Sequence, residues 1–138
     1  HLASAGFDFR EEVHLAALER IVAWTASERI PLLVHLDPQL RGTTVEDLRH
    51  LLDAAFGPHP EAEILIAHLG GSGGFGPWPQ SVLKTCRAWL AAEREAGRAR
   101  GGIFFDLAAV PLIRDSEGLS ASSAEEIAAL APALRELG

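Results

Sequence analysis

The sequence predicts an α/β fold in which parallel strands alternate with helices, and three observations carry that prediction. Two aliphatic runs, Pro31-Leu32-Leu33-Val34-His35-Leu36 and Ile64-Leu65-Ile66-Ala67-His68-Leu69, read as strands covered on both faces. Each carries a histidine next to its last residue. The histidines stand 33 residues apart (68 − 35), the length of one strand-helix unit, and a third run, Ile103-Phe104-Phe105-Asp106-Leu107, sets an aspartate at the equivalent place 38 residues later (106 − 68). Polar groups at the carboxyl ends of parallel strands face the side where such proteins bind ligands and metals, the pattern of a barrel active site.

The elements follow in order. Residues 11–29 space Val13, Ala17, Leu18, Ile21, Val22 and Trp24 as on a helix, with Ala16 and Thr25 filling the same broad face. After the first strand, a loop from Asp37 to Gly42 leads to a capping box, Thr44 with Asp47 or Thr43 with Glu46, whose side chains satisfy the free amides of a helix start. That second helix carries Val45, Leu48, Leu51, Leu52 and Ala55, and Gly57-Pro58 with Pro60 stops it. Beyond the second strand, Gly70-Gly71-Ser72-Gly73-Gly74-Phe75-Gly76 and Pro77-Trp78-Pro79 precede a third helix over about 80–96, packed through Val82, Leu83, Cys86, Trp89 and Leu90. Gly101-Gly102 breaks the chain before the third strand. A variable loop then reaches Ser122 and Ser123, each three residues before a glutamate, a second capping box. The last helix presents Ile127, Leu130 and Leu134, and Pro132 should kink or shorten it.

Composition narrows the function classes. With 138 residues and 48% hydrophobic content, the chain can bury an ordinary core. A balance of 12 basic against 19 acidic residues gives −7, and the one basic stretch, Arg94 to Arg100, is diluted by Glu93 and Glu95, so nucleic acid is not an expected partner. The single cysteine, Cys86, excludes an intrachain disulfide and a cysteine-rich zinc site, and its helical setting reads as inert packing. No apolar stretch approaches the ~18 residues that span a bilayer. No membrane partner and a cytoplasmic location are the expectations. The chain holds no methionine and opens at His1-Leu2-Ala3, which reads as the end of an element; residues 1–138 are therefore read as one partial domain of something longer.

A histidine that interrupts an aliphatic strand is costly unless its ring nitrogens find partners. Recurrence on adjacent strands points to shared work by His35 and His68. Neutral imidazole suits zinc and similar divalent ions, and a catalytic ion lowers the pKa of its bound water to around 7. Two histidines are too few ligands for such a site. Asp106 reads as a ligand, a general base or a substrate anchor, or else as a strand-end carboxylate capping a neighbouring loop. His14, His50 and His59 read as surface residues. Asp8 and Arg10 read as a local salt bridge or as pocket-shaping groups, and Trp78 as a pocket wall or a buried loop anchor. Gly71 to Gly76 matches G-x-G-x-x-G, the dinucleotide fingerprint, but Pro77-Trp78-Pro79 stands before the expected helix, and the next strand-end acid, Asp106, lies 35 residues on (106 − 71) rather than about 20.

The stretches His1-Leu2-Ala3-Ser4-Ala5-Gly6-Phe7-Asp8-Phe9-Arg10, Pro31-Leu32-Leu33-Val34-His35, Ile66-Ala67-His68-Leu69-Gly70-Gly71-Ser72-Gly73-Gly74 and Phe104-Phe105-Asp106-Leu107 together resemble the amidohydrolase-related metal-dependent hydrolases. The His-Leu-Gly-Gly stretch in its strand context is the most specific part. The resemblance implies a partial (β/α)8 TIM barrel covering roughly strands four to seven of a fold that takes about 250 residues. It implies that His1 ends strand four and that His35 is the metal-binding histidine ending strand five. His68, on strand six, becomes a metal ligand or the group that orients or deprotonates the catalytic water. Asp106 ends strand seven, where relatives shape the substrate pocket. The His-x-His motif of strand one and the aspartate of strand eight are absent.

The expected function is thus part of a metal-dependent hydrolase. A divalent ion, zinc first, activates water against an amide, ester or lactone-like carbon of a small-molecule substrate, or the site performs a related decarboxylation. Metal ligation falls to His35 and His68, and catalysis to His68 and Asp106. The alternatives are a non-catalytic α/β ligand-binding or interaction module and a dinucleotide-binding domain. Open sheet edges add an expectation of homo-oligomers or other edge association.

Overall fold

A computed structural model describes residues 6–8, 10–36, 42–71, 74–98, 101–108, 110 and 122–135; His1, most of the loop after His35, Ser72-Gly73 and the variable loop before Ser122 lie outside them. Helix α1 spans Glu12–Ser27, strand β1 Leu32–Val34, helix α2 Val45–Leu51, strand β2 Ile64–Ile66, helix α3 Pro77–Glu95, strand β3 Ile103–Phe105 and helix α4 Ala124–Arg135. The three strands form one parallel sheet in sequential order, with Leu32, Leu33 and Val34 opposite Ile64, Leu65 and Ile66, and these opposite Ile103, Phe104 and Phe105. Strand-helix alternation is therefore as the sequence predicts.

The helices cover one face of this sheet. Val34, Ile64 and Ile66, with Leu32, Ile103 and Phe105, pack against Leu15, Leu18 and Val22 of α1, Leu48 and Leu51 of α2, and Val82, Cys86 and Trp89 of α3. Phe105 also reaches a second cluster that contains Leu130 of α4. The alternate residues Leu33, Leu65 and Phe104 point the other way and line up in register across all three strands. None of them belongs to either cluster, and Leu33 and Phe104 are 59% and 53% exposed. The aliphatic runs read as buried on both faces; among the described residues only one face is covered. An apolar stripe of this kind, on a sheet whose outer strands have no further strand beside them among the described residues, favours self-association. The Phe104→Asp chain is expected to sediment closer to a monomer than the parent at equal concentration, with its circular dichroism unchanged; identical sedimentation of the two would exclude the stripe as the cause.

Helix α1 buries Leu18, Val22 and Thr25 as expected, but its inward face is rotated toward Leu15 and Ala26 and away from Val13, Ile21 and Trp24. Leu15, Leu18, Val22, Thr25 and Ala26 are buried, whereas Val13, Ile21 and Trp24 are 68%, 47% and 59% exposed. Both stripes have helical spacing and comparable apolar content, so periodicity alone does not choose between them. The choice is made by tertiary packing: Leu15, Leu18, Val22 and Ala26 enter the same core cluster as Leu52, Ala55 and Phe56.

Helix α3 begins at Pro77, three residues before the expected start. A proline in the first turn loses no helical hydrogen bond, and its fixed φ already suits the helix. Both capping boxes form as pairs: Thr44 with Asp47 (Asp47 N to Thr44 Oγ1, 3.2 Å; Thr44 N to Asp47 Oδ2, 2.9 Å) and Ser123 with Glu126 (3.1 and 2.7 Å). Ser122 does other work. Its buried hydroxyl accepts from Phe75 N at 3.1 Å and donates to Val110 O, tying the start of α4 to the glycine-rich segment. The end of the second helix is one π turn, Leu52–Phe56, closed by Gly57 N donating to Leu52 O at 2.7 Å. Pro132 lies within α4, which runs on to Arg135.

Candidate functional site

Register decides how the strand-end residues meet. Val34, Ile66 and Phe105 are aligned neighbours, so the next residues along are His35, Ala67 and Asp106. His68 is one position further on. Side chains alternate between faces along extended backbone, so continuation of β2 would aim His68 away from His35 and Asp106.

The chain avoids this by leaving the strand in a left-handed turn. His68 (φ 52°, ψ 38°) and Leu69 (φ 52°, ψ 29°) are both left-handed, and Gly70 follows at φ 81°. Left-handed backbone costs an L-residue roughly 1–2 kcal/mol, so the turn persists only because its surroundings hold it. Leu69 is fully buried in the second cluster with Phe75 and Leu83. Its amide donates to Asp106 O at 3.2 Å, and Gly71 N donates to His68 O at 3.0 Å.

The turn brings the three candidate residues together. His68 Nδ1 lies 2.9 Å from Ala108 O and 3.2 Å from Asp106 Oδ1. Asp106 Oδ1 is itself fixed by Ala108 N at 2.8 Å, the loop-capping role the sequence allowed for. The rings of His35 and His68 meet edge to face, with centroids 5.2 Å apart and planes at 79°. A backbone carbonyl and an ionised carboxylate only accept hydrogen bonds. The proton of neutral His68 therefore belongs on Nδ1, and Nε2 keeps its lone pair. That is the state of a histidine acting as a base or a metal ligand with a carboxylate behind it.

As a metal centre the described residues are incomplete. His35 and His68 supply two imidazole donors, whereas a catalytic zinc takes three protein ligands, and no group of three His, Cys, Asp or Glu that could hold an ion occurs among the described residues.

The remaining candidates separate. Arg10 pairs with Asp8 at 2.8 Å, the local salt bridge expected, and this carboxylate raises the guanidinium above its ordinary range. His14 is half-buried rather than on the surface; its Nδ1 accepts from Asp8 N at 3.0 Å, and its ring stacks on Phe7. His59 is half-buried too, with Nε2 2.5 Å from Glu19 Oε1 of α1. That partner stands 40 residues away in the chain, so local sequence gave no sign of it. His50 is exposed as expected. Cys86 is fully buried, and burial pushes its thiol up to about 12, which leaves it unreactive near neutral pH. Trp78 anchors the glycine-rich segment through Nε1 donating to Gly70 O at 2.6 Å.

For the dinucleotide alternative, α3 does follow Gly76 directly, closer to the fingerprint than the sequence suggested. The strand order, however, is sequential through the described sheet, without the reversal at which dinucleotides bind. No helix among the described residues is long and apolar enough to cross a membrane. No protein-family model, curated protein or solved structure matches this chain.

Proposed function

We propose that this chain is part of a barrel-type, metal-dependent hydrolase of the amidohydrolase kind, with His68 as its proton-handling residue. The observation that carries the reading is His68 Nδ1 held at Ala108 O and Asp106 Oδ1, two acceptors that assign the ring's proton to Nδ1 and leave Nε2 as its acceptor. Sequential parallel strands with every helix packed on one face suit a barrel segment, and in a barrel the stripe Leu33, Leu65 and Phe104 faces the interior.

In this mechanism Asp106 holds the imidazole in the Nδ1–H tautomer and stabilises the charge it gains when protonated. Nε2 of His68 takes a proton from water as the oxygen attacks an amide, ester or lactone-like carbon, then returns it to the leaving group. His35 supplies an imidazole donor for a divalent ion, zinc being the metal that nitrogen donors of this kind suit. When bound, such an ion makes hydroxide available at neutral pH. His68 serves as a further donor in a two-metal variant. A β-keto acid or similar carboxylate entering the same site would lose carbon dioxide instead.

The test is metal content together with turnover on a panel of amides, esters, lactones and β-keto acids, before and after chelation. Bound zinc lost in His35→Ala, with chelator-sensitive turnover, is the expected outcome. A chain that takes up no divalent ion and turns over none of the panel contradicts the enzyme and favours the non-catalytic ligand-binding module. Tight binding of NAD or NADP in a fluorescence titration would instead revive the dinucleotide-binding reading.

A further inference from the structure

We infer that Trp78 is a positioning residue for His68, acting through the left-handed turn; the inference rests on the role proposed above for His68. The register of β2 puts His68 out of step with His35 and Asp106, so its aim depends on the turn at 68–70 rather than on the strand. A run of three positive φ values that includes two non-glycine residues needs an outside tether.

Trp78 supplies one from the first turn of α3. Its Nε1–H donates to the Gly70 carbonyl at 2.6 Å, and its ring comes close enough to the chain that a Cβ on Gly71 would sit 3.2 Å from Cδ1. The indole is itself held from both sides. Pro77 and Pro79 fix the backbone around it, and it packs against the main core. The space a Gly70 side chain would need is taken by the methyls of Val82, 3.0 Å from the Cβ position, and its φ of 81° disfavours any side chain, so no replacement there could hold the turn instead. Helix α3 thus grips the turn at a carbonyl and by contact, and the imidazole two residues earlier inherits its direction. The Pro-Trp-Pro stretch has a function in this account that neither a pocket wall nor a dinucleotide loop provides.

The experiment is nitrogen-15 NMR of the histidine rings in the whole chain, which reads the ratio of Nδ1–H to Nε2–H forms of His68. Trp78→Phe keeps an aromatic ring and removes the donor. Once the turn drifts and His68 Nδ1 loses one of its acceptors, the worth of that one hydrogen bond should move the ratio up to about tenfold toward Nε2–H, with circular dichroism unchanged. A Trp78→Phe chain whose His68 ratio equals the parent's, whatever its melting temperature, overturns the inference, because a merely structural tryptophan would change stability alone. Should the phenylalanine variant fold poorly, benzothienylalanine at position 78 preserves the indole's shape without its N–H, and the same two outcomes apply. A parent chain with His68 already in the Nε2–H form contradicts the proposed function instead; the positioning role then stands if Trp78→Phe moves the ratio in either direction and falls if the ratio is unchanged.

Discussion

His68→Asn is expected to lower kcat/KM for the hydrolysed substrate by about 10²–10⁴-fold, the usual contribution of a placed acid-base group. Asparagine is the informative replacement because position 68 is left-handed (φ 52°), a conformation that asparagine tolerates better than most residues. The turn should survive, so the loss reports chemistry rather than misfolding. An amide carries no basic nitrogen at neutral pH, and its shorter side chain does not reach the position of Nε2. The check is kinetics beside a thermal melt: a large fall in kcat with a small shift in melting temperature is expected. Full activity in His68→Asn would remove His68 from the mechanism.

Asp106→Ala should cost less, about 10–100-fold in activity or metal affinity, the range for a group that orients a catalytic or ligating histidine. Its loss leaves His68 Nδ1 with Ala108 O at 2.9 Å, so the tautomer keeps one of its two acceptors. It also removes the acceptor of Ala108 N, which frees that carbonyl to drift. Because Asp106 works through His68, the double variant should be no worse than His68→Asn alone, the non-additivity expected of residues that act as a unit. Additive losses would mean that Asp106 meets substrate directly.

Much of the scaffold is legible locally. The aliphatic runs, the breaks at Gly57-Pro58 and Gly101-Gly102, and the two capping boxes are each decided by a few neighbouring residues, and each forms where the spacing puts it. What the sequence hides depends on distant partners. The rotation of α1 about Leu18 and Val22 is chosen by what packs on it, since Val13, Ile21 and Trp24 flank those two residues as plausibly as Leu15 and Ala26 do. The exposed side of the sheet follows from which face the crossovers cover, which no single strand encodes. The Glu19–His59 pair joins groups far apart in sequence.

The site shows both kinds of information at once. His35, His68 and Asp106 are recognisable as strand-end residues, and the structure brings them together. In sequence the two histidines occupy equivalent-looking places after their aliphatic runs, and pairing shows them offset by one. Only the left-handed turn restores the match. Glycine at 70 is a visible hint and histidine is among the residue types enriched at positive φ, but nothing about Leu69 announces a left-handed backbone.

The most direct test of this account is the protonation state of the His68 ring in the unsubstituted chain at neutral pH, read from its nitrogen-15 shifts. With two acceptors at Nδ1, the neutral form of the ring is expected to carry its proton there and to leave Nε2 as an acceptor. A proton found on Nε2 of the neutral ring would contradict it, since that nitrogen could then neither accept a proton from water nor bind a metal.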